Sequence, residues 1–255
     1  METDLKEFTK LFNQLAHRHS YLEVFNDFLD MVIYALANQQ YEEEYKQVIS
    51  KYNKQEQNQF AYLFAEMVLL MDDKGNGFVD CLGEFFMVNI TRGRNGQFFT
   101  PTSVTDFMAQ IVGDEPPVTN KTICDPACGS GRMLLSFAKS NSKDNWFFGA
   151  DLDHTCVKMC VINLCLNGMK GQVAHMNSLS LDMYGVYEIY LDAARFYIPT
   201  IRKMPVEQSV FYHEKEAFLK AHFEKQETAK HRDSKETNSN QIVLDLFSQP
   251  ELEAS

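Results

Sequence analysis

The sequence predicts an α/β fold, a doubly wound sheet of parallel strands behind an all-helical N-terminal segment. Three observations carry this. Apolar residues recur at three- and four-residue steps through residues 1 to 70. From about residue 120, short apolar runs alternate with helical patterns, and two of those runs end in an acid. The 255 residues, 45% hydrophobic and 23% charged, suffice for one sizeable core with an appendage.

The elements follow in order. Phe8, Leu11, Phe12 and Leu15 mark a first amphipathic helix, and Leu22, Phe25, Phe28, Leu29 and Val32 a second. Phe60, Leu63, Phe64, Met67, Val68 and Met71 mark a later one, which the turn-rich run Asp72-Asp73-Lys74-Gly75-Asn76-Gly77 ends. A short helix is expected from Phe78 to Val88. Thr122-Ile123-Cys124 is a strand that runs into Asp125 and a glycine-rich turn, and a helix follows from Met133 to Ala138. Trp146 to Asp151 is a second strand ending in an acid, followed by a helix over Asp153–Asn167. Val173 to Met176 is a third strand. His213 to Ala229 reads as a charged helix, and the polar run His231 to Asn240 as a disordered linker. A short apolar cluster, Ile242 to Phe247, lies beyond it. The chain divides on this reading into a helical domain at 1–92, an α/β domain at 93–205 and a tail at 206–255.

Composition excludes some functions. No stretch reaches the roughly 20 apolar residues of a membrane span, and the opening METDLKEF has no apolar signal core. A cytoplasmic setting is expected, with the six cysteines kept as thiols. The net charge of −11 offers no basic block for phosphates. Weak DNA binding is expected unless a partner supplies the basic surface. No metal site is expected: the cysteines form no C-x-x-C pair, and Cys156 and Cys160 share a helical face as core thiols do. The Asp72–Glu84 stretch has its acid one residue late for an EF-hand loop. Ser130 has no base in the pattern to make it a nucleophile.

The chemistry concentrates in Asp125-Pro126-Ala127-Cys128-Gly129-Ser130-Gly131, between the first strand and its helix. Glycines there let a ligand approach the backbone, and the helix N-terminus offers free N–H groups to a carboxylate. Asp151, at the end of the next strand, is placed to accept from ribose hydroxyls. A dinucleotide-binding turn would need a third glycine, which is missing from Met133 onward.

Together with Gly96-Gln97-Phe98-Phe99-Thr100-Pro101 upstream, this turn resembles the modification subunit of type I restriction systems and related adenine-N6 DNA methyltransferases. Asp151-Leu152-Asp153, the helix to Asn167, and Asn177-Ser178-Leu179 extend the resemblance over residues 78–180. It implies a Rossmann-like class I S-adenosylmethionine-dependent methyltransferase sheet, truncated here, and S-adenosyl-L-methionine as cofactor. By the same resemblance Gln97, Phe98, Phe99, Thr100 and Pro101 close over the methionine end of the cofactor. Asp125, Pro126 and the backbone of Ala127, Gly129, Ser130 and Gly131 hold its amino and carboxylate groups. Asp151 binds the ribose, Leu152 packs on the adenine, and Asn177 with Ser178 and Leu179 borders its edge.

One family motif is missing. Asn or Asp, then Pro-Pro, then an aromatic should follow the next strand, to grip and stack a flipped adenine. The only Pro-Pro is Pro116-Pro117, upstream of the turn. If Glu188–Leu191 is the fourth strand, Asp192-Ala193-Ala194-Arg195 takes the motif's place, without prolines or aromatic. No catalytic residue is therefore assigned. The expected function is a cofactor-binding methyltransferase relative, inactive alone or dependent on a partner. The alternatives are an adenine-N6 methyltransferase completed by another subunit, and a non-enzymatic adaptor. The adaptor reading rests on Gln241, Leu244, Leu246 and Phe247, which resemble the short motif that binds bacterial sliding clamps.

Overall fold

The computed structural model describes residues 4–91, 99–113, 116–117, 119–218 and 220. Gln97, Phe98, the linker at 231–240 and the clamp-like residues Gln241, Leu244, Leu246 and Phe247 lie outside the described residues. The chain forms two units, residues 1–209 and 210–255; in the second, residues 210–218 are helical.

The first unit opens with α1 (Lys6–Leu15), α2 (Tyr21–Leu36), α3 (Glu42–Ile49) and α4 (Lys54–Asp72). Asn53 starts α4 with a capping box: its side chain accepts from Glu56 N, and Glu56 Oε2 accepts from Asn53 N. A reversal with left-handed residues at Asp73, Lys74, Gly75, Gly77 and Phe78 leads to α5 (Cys81–Phe85) and a π-helical turn at Phe86–Thr91. Phe85 packs edge-on against Phe8 and Phe12, with centroids 4.9 and 4.7 Å away. The N-terminal helices thus seat α5, which carries Asp80 at its start toward the sheet.

Next come α6 (Thr102–Val112), β1 (Thr122–Asp125), α7 (Arg132–Ser140), β2 (Trp146–Asp151), α8 (His154–Leu166) and β3 (Lys170–Asn177). The strands and helices expected from the sequence form at these places. β1, β2 and β3 are parallel neighbours in that order. α8 is buried along most of its length and joins α2 through Lys158 Nζ donating to Asp30 Oδ2 (2.8 Å). One buried apolar cluster includes Phe8 and Phe28 from the helices and Phe147, Val173 and Ile201 from the sheet.

The remaining strands depart from the expectation. β4 (Asp182–Asp192) and β5 (Ile198–Met204) are antiparallel, and the sheet order is β1-β2-β3-β4-β5. Glu188–Leu191 lies in β4, but β4 runs away from the glycine turn. Asn177 pairs with Asp182 at one end, and Gly171 with Ile189 at the other. Asp192-Ala193-Ala194-Arg195 therefore sits at the opposite end of the sheet from the turn and cannot stand in for the missing tetrapeptide. Only residues 178–181 join β3 to β4. A parallel return needs a crossover of about a dozen residues, so so short a link imposes a hairpin.

Candidate functional site

Asp125, Asp151 and Asn177 end three adjacent parallel strands. Register places Asp125 beside Gly149 and Asp151 beside His175, so the three ends rise as steps. The glycine turn stands on the first step. Gly129 and Gly131 have φ of 52° and 85°, in the left-handed region that favours glycine. Gly131 N donates to Cys128 O (2.7 Å) and closes the turn.

Asp151 holds this turn from below. Its Oδ2 accepts from Gly129 N (2.8 Å) and its Oδ1 from Asp153 N (2.9 Å). Each carboxylate oxygen keeps a further lone pair, and the residue is partly exposed. Asp125 Oδ1 accepts from Ala127 N (3.1 Å). Burial first, and the neighbouring Asp151 charge, push the Asp125 carboxyl above its usual range, against the Ala127 hydrogen bond. Ser178 Oγ donates to Pro126 O (2.6 Å) and ties the turn to the end of β3. Asn177 Oδ1 accepts from Leu179 N and Ser180 N, so that oxygen serves its own turn. Leu152 and Leu179 are exposed, and Leu152 O bonds the His175 ring (3.0 Å).

The two sequence motifs meet. A Cβ added at Gly129 would lie 3.1 Å from Phe99 Cε1, so the Phe99 ring covers the turn. Phe99 in turn stacks on Phe86 at 6.1 Å. Thr100 O accepts from Arg132 Nη1 (3.1 Å), and Pro101 starts α6.

Ser130 points inward, where a buried polar network lies that the sequence did not disclose. Asp80 Oδ2 accepts from Ser130 Oγ (2.5 Å) and Arg132 Nε (2.9 Å). Asp80 Oδ1 accepts from Gly83 N and Asn163 Nδ2, both 2.9 Å. Arg132 Nη2 reaches Glu84 Oε2 (3.2 Å). A second group beside Leu152 was also not foreseen: His154 and His175 stack at 4.8 Å, and Tyr184 lies 4.9 Å from His175. Burial, then the Lys158 charge, push the His154 pKa down to about 4. Among the described residues no group of three or more His, Cys, Asp or Glu could hold a metal ion, and no helix is long and apolar enough to cross a membrane.

A glycine turn between a parallel strand and a helix, with an acid on the neighbouring strand end, is a Rossmann-like arrangement. Residues 79–193 match the family described as N-6 DNA Methylase. It is 30% identical over 92 residues to the type I restriction enzyme MpnII methylase subunit of Mycoplasma pneumoniae, covering 34% of this chain and 16% of that relative. It is 30% identical over 103 residues to the EcoEI methylase subunit of Escherichia coli, covering 34% of this chain and 20% of the relative. It is 25% identical over 153 residues to the MjaIX methylase subunit of Methanocaldococcus jannaschii, covering 54% and 27%. The chain thus spans between 16% and 27% of the length of these curated relatives. A crystal structure of the type I restriction-modification methyltransferase subunit from Streptococcus thermophilus aligns with a TM-score of 0.34 and 22% identity, over 64% of this chain and 36% of that one.

Proposed function

We propose that the chain binds S-adenosylmethionine at the carboxyl ends of β1, β2 and β3, as the cofactor-holding part of an adenine-N6 DNA methyltransferase. It transfers no methyl group to DNA alone. The observation that carries the reading is the closure of Phe99 over Gly129, which makes one wall from two motifs distant in sequence. The donor set fits the cofactor. The N-terminus of α7 has no side-chain cap, so its first N–H groups are free for a carboxylate. Asp125 and Asp151 offer oxygens to an ammonium and to ribose hydroxyls, and a cation beside Asp125 would relieve the burial of that acid. Phe99 presents a ring to a sulfonium. Once bound, the cofactor supplies an electrophilic methyl group on sulfur.

No described residue at this end of the sheet can grip an adenine as Asn-Pro-Pro-aromatic does, because the β4 turn lies at the other end. The relatives are named as subunits. This chain, with its net charge of −11, likewise needs another polypeptide to bring DNA and the catalytic loop.

Calorimetric titration tests the first half. Wild type should bind S-adenosylmethionine in the micromolar range. Gly129→Ala, which pushes on Phe99 and puts a Cβ on a left-handed residue, should lose that binding while still melting in one transition, about 1–2 kcal/mol less stable. Absence of heat at millimolar ligand sinks the reading. Labelled methyl transfer to duplex DNA by the chain alone would sink the second half.

A further inference from the structure

The link from β2 to α8 is short: Leu152 and Asp153 join Asp151 to His154. Hydrogen bonds hold it from two directions. Along the chain, Asp151 Oδ1 accepts from Asp153 N (2.9 Å) and Asp153 Oδ1 from Thr155 N (2.8 Å). From the neighbouring strand β3, His175 Nε2 lies 3.0 Å from Leu152 O. A carbonyl oxygen only accepts, so this nitrogen carries a proton and donates. The bond fixes the plane of the peptide after Leu152, whose side chain stays 60% exposed.

His175 is held in its turn. The His154 ring, from the start of α8, stacks on it at 4.8 Å with planes 18° apart. His154 Nε2 lies 3.3 Å from the Tyr187 hydroxyl of β4. Burial pushes the Tyr187 pKa up, while burial first and then the Lys158 charge hold His154 at about 4. At neutral pH a protonated hydroxyl therefore meets an uncharged ring.

Tyr184 adds a third ring, 4.9 Å from His175, and it gets there through an irregularity in the sheet. His175 pairs with Gly185 and Met176 with Met183, which leaves Tyr184 as an extra residue on β4. Regular alternation would set Tyr184 on the face opposite to Gly185 and His175. A bulge re-aims one side chain, and bulges are common beside functional sites. The stack is thus built from β3, β4 and α8 around a single bond to Leu152 O. Water could satisfy that oxygen at so exposed a turn, so the bond serves geometry more than stability.

We propose that His175 is a positioning residue for the adenosine half of the cofactor. It holds the Leu152 peptide from β3, so that the Leu152 side chain meets the adenine and Asp151, one residue back, meets the ribose. This role rests on the S-adenosylmethionine reading above.

Calorimetric titration of the full chain tests it, with S-adenosylmethionine and with 5′-methylthioadenosine, which lacks the amino-acid end. His175→Leu keeps bulk and loses the donor. It should weaken both ligands about 5- to 10-fold, roughly what one hydrogen bond contributes. His175→Gln places an amide N–H at similar reach and should bind both within about threefold of wild type. Both variants should melt within about 3 °C of wild type. Wild-type affinity in the leucine variant overturns the role. An equal loss in the glutamine variant also overturns it, because ring packing rather than the donated bond would then set the affinity. So does a leucine variant that melts far below the other two, since its loss would be one of folding. A loss with S-adenosylmethionine that methylthioadenosine does not share, or a wild type blind to millimolar methylthioadenosine, overturns the adenosine assignment. Wild type that binds neither ligand overturns the methyltransferase reading, and this role falls with it.

Discussion

Asp80 and Arg132 decide whether the two motifs of the site stay together. The Asp80 carboxylate takes four donors, from Gly83, Ser130, Arg132 and Asn163. Arg132 spans from Asp80 to Thr100 O and Glu84. The side chains of the pair are 6% and 3% exposed, so neither charge has water to fall back on. Arg132→Met would leave Asp80 buried with its main counter-charge gone, at a cost of about 3–5 kcal/mol. Ser130→Ala removes one hydrogen bond and should cost about 1–2 kcal/mol. Urea unfolding of both variants checks this, and equal losses would mean that Asp80 draws its compensation elsewhere. Nothing in sequence spacing pairs positions 80 and 132. The one hint was a charged residue directly after a glycine turn, at the head of an apolar helix. Asp125, Asp151 and the turn glycines were legible because their roles follow from strand ends and backbone geometry, which local pattern reports.

Between elements, Gly171 is the described glycine with least room for a side chain, where β3 lies against β2. A Cβ at Gly171 would lie 1.7 Å from Phe147 O and 2.7 Å from Phe147 C. No rotamer relieves a clash with backbone, so Gly171→Ala must part the two strands and should cost about 3 kcal/mol or more. Gly185, in β4, has nothing within 4 Å of its added Cβ. Gly185→Ala should therefore stay within about 0.5 kcal/mol of wild type. Differential scanning calorimetry of the pair separates steric from generic glycine effects, and similar losses would mean that the strands yield. The same scale shows where the sequence reading stopped. β1, β2 and β3 each announce themselves by an apolar run, with acids closing the first two. The direction of β4 depends instead on the length of the link before it, and the alternating Ser178-Leu179-Ser180-Leu181 does not mark where β3 ends and β4 begins.

For the first unit as a whole, the question is whether helices and sheet stand or fall together. Periodicity predicts two kinds of structure in two stretches of chain and says nothing of what lies between them. The contacts between them are side-chain matters: Phe85 among Phe8 and Phe12, Lys158 on Asp30, and Asn163 under Asp80. One buried cluster crosses the seam, with Phe8, Phe28, Leu134, Phe147 and Ile201 all 6% exposed or less. Separating the helices, α5 included, from α7 and α8 would bare that surface and strand Asp80 without Ser130, Arg132 and Asn163, three of its donors, so partial unfolding should cost nearly as much as complete unfolding. Cooperative loss is therefore expected across residues 1–209. The chain's single tryptophan, Trp146, begins β2 with Lys170 Nζ 4.5 Å from its ring centre, so its fluorescence reports the sheet. Far-UV circular dichroism reports chiefly the helices. In urea the two signals should share one midpoint and one slope. A dichroism transition well ahead of the fluorescence change would show that the helices melt off a surviving sheet, and that the buried seam between them contributes little to stability.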